Sequence, residues 1–314
     1  MGDYTKTGKF RVFTERSNYP DDYKVRSITE QITKLQKTFP HLGFANKALV
    51  DRIECDEELI SVNADENGFF AIPHWTKIAP SYGEAVEIML SLLKKDMVEK
   101  DRYKRPFLYG LRTFLSHFSL DKRKFLYDFT QGKHDNRFLR ETKSKKCMME
   151  NFLALQEADI IIIQAQFGNQ YQKCSPASAQ QVIKRNEFLL GIYEILVMLF
   201  THPERLQAEC DLQINVSGDE YSPDSDADQF VYVFYLWYYD YGKSLHLNYK
   251  KVHSNDLNSG SPSGFISKAY YDTFKGKGFG SFIFHVLFHK KLQGHFRVLL
   301  FFCFLSCFLY YPHN

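Results

Sequence analysis

The chain predicts an α/β fold: a mixed sheet around a buried central strand at about 159–167, flanked by helices, with a C-terminal β-hairpin. Three observations predict it. The stretch Asp159-Ile160-Ile161-Ile162-Ile163-Gln164-Ala165-Gln166-Phe167 holds four consecutive isoleucines and ends at Gly168, so it reads as a strand covered on both faces. Residues 229–239 and 244–249 alternate around Asp240-Tyr241-Gly242-Lys243 as the arms of a hairpin do. Amphipathic stripes with Ser-x-x-Glu openings precede the isoleucine strand, as helices would.

Residues 1–24 are polar and mixed and are expected to form a loosely docked arm. A first helix should begin after Ser27, which stands at capping-box spacing from Glu30, and stop at Phe39-Pro40. Residues 58–63 and 68–73 read as two strands joined by Asp65-Glu66-Asn67-Gly68. Ser81 and Glu84 open a second helix, with Ala85, Val86, Met89, Leu90 and Leu93 on one face. Another helix is expected over 137–156, leading into the isoleucine strand. Beyond the strand, Ser175 as N-cap and Pro176 at the first position start a long helix that Thr201-His202-Pro203 ends. With Leu212-Gln213-Ile214-Asn215-Val216 after it, this order resembles a βαβ unit with a right-handed crossover. Residues 259–264 read as a Ser/Gly/Pro linker. One α/β domain over 25–266 and an atypical Phe-rich tail over 267–314 complete the division.

Composition is that of a globular protein, with 44% hydrophobic and 25% charged residues. The net charge of +3 is too small to imply a nucleic-acid partner, but its distribution is uneven. Residues 94–146 hold sixteen Lys/Arg against seven Asp/Glu, an excess of +9, whereas residues 204–228 hold eight acids and one base. Six scattered cysteines without a CxxC pair suit reduced thiols in a cytoplasmic protein. The amino-terminal residues lack the apolar stretch of a signal peptide. The apolar run 298–311 is shorter than the roughly 20 residues of a spanning helix, so membrane association through the tail stands as the alternative location.

Four stretches invite a chemical reading. Asp219, Glu220, Asp224, Asp226 and Asp228 are candidate ligands of a divalent ion such as Mg or Ca. The EF-hand pattern fails, since Gln229 and Tyr235 stand where Gly and Glu are needed, and a solvated acidic turn is the competing reading. The turn after the central strand places Gln164, Gln166, Gly168, Asn169 and Gln170 where ligands of doubly wound sheets sit. Gly276-Lys277-Gly278-Phe279-Gly280 lacks both the preceding strand and the spacing of a phosphate loop. The basic tract offers Lys104, Arg105, Arg112, Lys122, Arg123 and Lys124 to phosphates, with Tyr103, Phe107, Tyr127 and Phe129 among its rings. Amphipathic helices account for much of that pattern equally well. No nucleophile elbow of the form Gly-x-Ser-x-Gly is present in a strand-to-helix context.

The segments Phe70-Ala71-Ile72-Pro73-His74-Trp75-Thr76-Lys77-Ile78-Ala79-Pro80-Ser81-Tyr82-Gly83-Glu84-Ala85-Val86, Thr201-His202-Pro203-Glu204-Arg205-Leu206 and Gly218-Asp219-Glu220-Tyr221-Ser222-Pro223-Asp224 resemble parts of a family of uncharacterised bacterial proteins. The resemblance implies a bacterial domain over about 40–266 and no activity, so it assigns no catalytic residue. The sequence therefore leads to a binding or accessory protein that contacts nucleic acid through its basic face. The second expectation is a divalent-metal hydrolase of phosphate esters or nucleotides that uses the acidic loop, its ion activating water.

Overall fold

The computed structural model describes residues 19–20, 23–55, 67–104, 126–184, 186–225, 229–239, 244–266, 270 and 273. Its helices are α1 (Ile28–Thr38), α2 (Lys47–Cys55), α3 (Tyr82–Lys104), α4 (Lys143–Gln156), α5 (Pro176–Val182) and α6 (Ile192–Thr201). Its strands are β1 (Asn67–Pro73), β2 (Leu126–Asp128), β3 (Leu139–Glu141), β4 (Ile160–Gln166), β5 (Glu187–Leu189), β6 (Gln213–Tyr221), β7 (Tyr232–Tyr239), β8 (Ser244–Lys251), β9 (Ser259–Gly260) and β10 (Ser263–Phe265).

The fold is α/β, and the isoleucine run is a strand buried at every position but Gln164. Ile160, Ile161, Ile162 and Ile163 are all fully buried. β4 lies between β1 and β10 in a four-stranded sheet of order β1-β4-β10-β5. Every strand pair in that sheet is antiparallel, with a single parallel bridge from Ala45 to Ile160. Mixed pairing belongs to the second sheet, of order β2-β8-β7-β6-β3, where β2 runs parallel to β8 and β9 parallel to β6. The hairpin forms as the alternation predicts, in register from Tyr232 opposite Lys251 to Tyr239 opposite Ser244.

Local signals placed the first helices. Ser27 Oγ accepts from the Glu30 amide and Glu30 returns a bond to the Ser27 amide, which closes the capping box of α1. Ser81 Oγ accepts from the Glu84 amide at 3.3 Å at the start of α3. Residues 68–73 fall in β1, while the partner strand expected over 58–63 lies outside the described residues.

Four expectations are corrected. The long helix after Ser175 is two helices, α5 and α6, with β5 between them. Gly191 follows the strand by two residues and caps α6; a Cβ there would come within 2.5 Å of Lys145 Nζ and of Asp219 Oδ1. The βαβ unit does not form, because β4 and β6 belong to different sheets. The helix expected over 137–156 begins only at Lys143, capped by Thr142, because Leu139–Glu141 pairs with β6 as β3. The linker over 259–264 is instead a buried strap: β9 pairs with β6 in one sheet, and β10 pairs with β4 and β5 in the other. Its small residues are needed for space, since a Cβ on Gly260 would lie 2.1 Å from the Gly168 carbonyl. The flanks dock as well. Tyr19 lies over the buried Arg205 guanidinium, and Tyr270 is fully buried against Phe152.

α6 is buried along its whole length and packs on β1 of one sheet, β6 of the other, and on α3 and α1. Two glutamine amides complete backbone pairing that no strand supplies. Gln31 Nε2 donates to the Phe69 carbonyl at 2.8 Å and its Oε1 accepts from the Ala71 amide at 3.0 Å, on β1. Gln156 does the same for Ile162 of β4, with both bonds at 2.8 Å. Leaving a buried backbone group unsatisfied costs about 1–3 kcal/mol. The Ile162 carbonyl also accepts from the Tyr270 hydroxyl, so Gln156→Ala leaves the Ile162 amide unpaired; it should lower the urea midpoint by an amount equivalent to about 1–3 kcal/mol at unchanged slope, and an unchanged midpoint would show that this amide finds another partner.

Candidate functional site

Two features of the fold carry chemistry: a buried ion cluster at the start of α6, and an aromatic face on the second sheet.

The ion cluster gathers around Lys145 in the first turn of α4, whose side chain is fully buried. Its Nζ lies 2.9 Å from Glu194 Oε2, 3.0 Å from Glu141 Oε1 and 3.2 Å from Asp219 Oδ1. It also donates to the Tyr82 hydroxyl at 2.8 Å and sits 4.1 Å from the centre of that ring. Tyr82 in turn donates to Asp219 Oδ2 at 2.6 Å, and the Ile192 amide at the start of α6 donates to the same oxygen at 2.7 Å. Five elements thus meet on one ammonium: β3, α4, α3, α6 and β6.

One cation faces three carboxylates, and the electrostatics follow from that imbalance. Burial opposes the charge on Lys145, but Asp219, Glu194 and Glu141 outweigh it, so its pKa is held above the ordinary lysine value. Burial raises both Asp219 and Glu194 against the pull of Lys145, Glu194 to about 7. The Tyr82 hydroxyl is pushed well up, by burial first and then by Asp219, which keeps it a proton donor. His74 at the rim is lowered, chiefly by burial.

The predicted metal ligands are placed as follows. Asp219 belongs to this cluster, with both oxygens engaged. Glu220, next on β6, points to the opposite face and pairs with Arg140 at 2.6 Å. Asp224 lies in the turn beyond, where its amide donates to Ser222 Oγ at 3.2 Å. Asp226 and Asp228 lie outside the described residues. Among the described residues, no group of three or more His, Cys, Asp or Glu is arranged to hold a metal ion. The turn after β4 is also built over: Gln166 is buried and donates to the Ser261 carbonyl and Ser263 Oγ of the strap. Of the predicted phosphate contacts, Lys104 closes α3, while Arg105, Arg112, Lys122, Arg123 and Lys124 lie outside the described residues. The apolar run 298–311 also lies outside them; among the described residues, no helix is long and apolar enough to cross a membrane.

The aromatic face follows from register. Trp237 is paired with His246 and Tyr127 of β2 with the same histidine, so their side chains project from one side of the sheet. The imidazole of His246 is surrounded by four rings: Trp237 at 4.5 Å, Tyr127 at 4.9 Å, and Phe129 and Tyr239 each at 5.5 Å between centres. Phe129 is the most open of them, 47% exposed, and stacks near Tyr127. Burial lowers the His246 pKa, which favours the neutral ring. Its Nε2 is 2.9 Å from Ser244 Oγ, while its Nδ1 and the nearby Trp237 Nε1 are enclosed without a hydrogen-bond partner.

Tyr127 and Phe129 belong to the basic tract singled out in the sequence. Trp237, Tyr239 and His246 were missed there, although the alternation of the hairpin already puts positions 235, 237 and 239 on one side. Lys145 and Glu194 were missed too; the signal was a lone acid in the otherwise apolar stretch that became α6.

Two outcomes test the cluster. Lys145→Met leaves three carboxylates without a cation and should cost about 3–5 kcal/mol in denaturant unfolding. Glu194 holds in the folded state a proton that the unfolded chain releases at lower pH. Its contribution is complete in acid and is lost as pH rises from the ordinary carboxyl range through about 7. The stability difference between wild type and Glu194→Gln should therefore change with pH across that window and level off above it; a pH-independent difference would place the proton elsewhere. No protein-family model, curated protein or solved structure matches the chain.

Proposed function

We propose that this is a binding protein that takes single-stranded nucleic acid on the aromatic face of the β2-β8-β7 sheet. The observation that carries the reading is the gathering of Tyr127, Phe129, Trp237 and Tyr239 around His246 on one side of the sheet, with Phe129 open to solvent. Stacking on such rings contributes roughly 1–3 kcal/mol per base and tolerates any sequence.

Charge supports the same partner. The part of the basic tract that leads into β2, residues 94–125, holds ten Lys/Arg against four Asp/Glu, an excess of +6, and Lys124 stands two positions before Leu126. Lys104, Arg105, Arg112, Lys122, Arg123 and Lys124 are the residues assigned to the phosphates. A single strand suits this division of labour, because its bases are free to stack while its backbone follows the cations.

Binding of a fluorescently labelled single strand, measured by anisotropy, tests the reading. Trp237→Ala should weaken affinity by about tenfold, the loss of one stacked base. If six cations meet phosphates, log K should fall with log salt at a slope of about −4. No binding at low salt, or a slope near zero, would remove nucleic acid as the partner.

A further inference from the structure

A stacking surface alone would bind every base alike, and it would not leave polar atoms enclosed and unpaired beneath its rings. This face has two: Trp237 Nε1 and His246 Nδ1, on side chains directly opposed across β7 and β8. An indole N–H is a donor only, and a buried donor without an acceptor is costly. A buried imidazole nitrogen without a partner is a second such cost, at a residue only 7% exposed. No neighbouring side chain is hydrogen-bonded to either atom, although Tyr127, Phe129 and Tyr239 lie around them.

Resting on the nucleic-acid reading above, we infer that the Trp237–His246 pair is a base-reading site that hydrogen-bonds the edge of one nucleobase held among these rings. Phe129 is the side chain that moves aside, being the most open ring of the group and the one stacked outside Tyr127 and His246. Trp237 offers a fixed donor. What His246 offers is set by Ser244, whose Oγ lies 2.9 Å from Nε2. If Ser244 donates, Nδ1 carries the proton, and two donors face the base, which suits the oxygen-bearing edges of guanine or uracil. If Nε2 donates to Ser244, Nδ1 accepts, and a donor–acceptor pair faces the base, which suits adenine or cytosine. The site therefore predicts a base preference as well as binding, and the identity of the preferred base reports the tautomer.

Labelled homo-oligomers of A, C, G and U, with the full chain and its His246→Phe and Trp237→Phe variants, test the inference by anisotropy. Both substitutions keep an aromatic ring for stacking; Trp237→Phe removes the indole N–H, and His246→Phe removes both ring nitrogens, including the one bonded to Ser244. Wild type should prefer one base by about tenfold or more, the discrimination expected of a paired edge contact. Each variant should lose that preference, so that its affinities for the four homo-oligomers fall within about threefold of one another, as stacking alone requires. Thermal melts identify any variant that fails to fold, and the other variant then decides. Equal affinity of wild type for all four strands, or a preference retained in a folded variant, would overturn the base-reading site and leave the stacking surface intact. No binding to any strand at low salt would instead remove the nucleic-acid reading on which it rests.

Discussion

The contact on which the rest of the structure depends is the ammonium of Lys145 against Glu141, Glu194 and Asp219. It fixes where β3 ends, where α4 and α6 begin, and how far β6 stands from both. Apolar packing could hold these elements together with equal energy and less precision, since dispersion and burial have no direction. Desolvating four charged groups is expensive, and attraction in the interior repays it only when the geometry is good and the remaining lone pairs are bonded. Here they are bonded: the Tyr82 hydroxyl and the Ile192 amide both donate to Asp219, and the Gly191 amide donates to Glu194. The cluster therefore specifies an arrangement that the core alone would leave open to sliding. Gly191 is the steric counterpart of that specification, the one residue small enough to pass between Lys145 and Asp219.

Around this junction the apolar elements are arranged in the ordinary way. β4 and α6 are the two segments with almost no polar outlet, and each is covered on all sides by other elements. A strand so enclosed must still satisfy its backbone beyond the end of its short neighbour β10, and Gln156 does so with a side-chain amide shaped like a peptide group. The aromatic face is built on the opposite logic. Its rings are assembled on the side of the hairpin away from Phe234, Leu236 and Leu247, which belong to the core, so the same two strands present one face to packing and gather an aromatic cluster on the other.

What could be read from the chain was whatever is decided locally. The isoleucine run, the Ser27–Glu30 and Ser81–Glu84 starts and the alternating hairpin depend on neighbours within a few residues, and they were legible. The break between α5 and α6 was not, because nothing near Gly191 requires it; the requirement comes from Lys145 and Asp219, which the fold brings there. Ser259 to Gly264 has the composition of a linker for a similar reason. Small residues are read as flexible when their neighbours are unknown, and as closely packed once Gly168 is seen against Gly260. Of the site residues, Asp219 stood out as part of an acidic stretch, yet its partner was counted among the solvated cations of a basic tract. Lys145 could not be told from Lys143 or Lys146 by sequence, since it is turned inward only by falling on the face of α4 that Met148, Met149 and Phe152 bury.

The strap that joins β9 to one sheet and β10 to the other has a consequence for how the molecule opens. Sheets that meet only through side chains can separate by local fluctuations, each with its own free energy. Here five to seven residues of backbone are hydrogen-bonded into both at once, with Gln166, Ser217 and Asn215 clamping the strap from either side. Neither sheet can lose its edge there without disturbing the register of the other. The interior amides of β4 and β6 are thus coupled into a single unit of exchange with solvent, and the hairpin is carried on a base that does not breathe independently of the core.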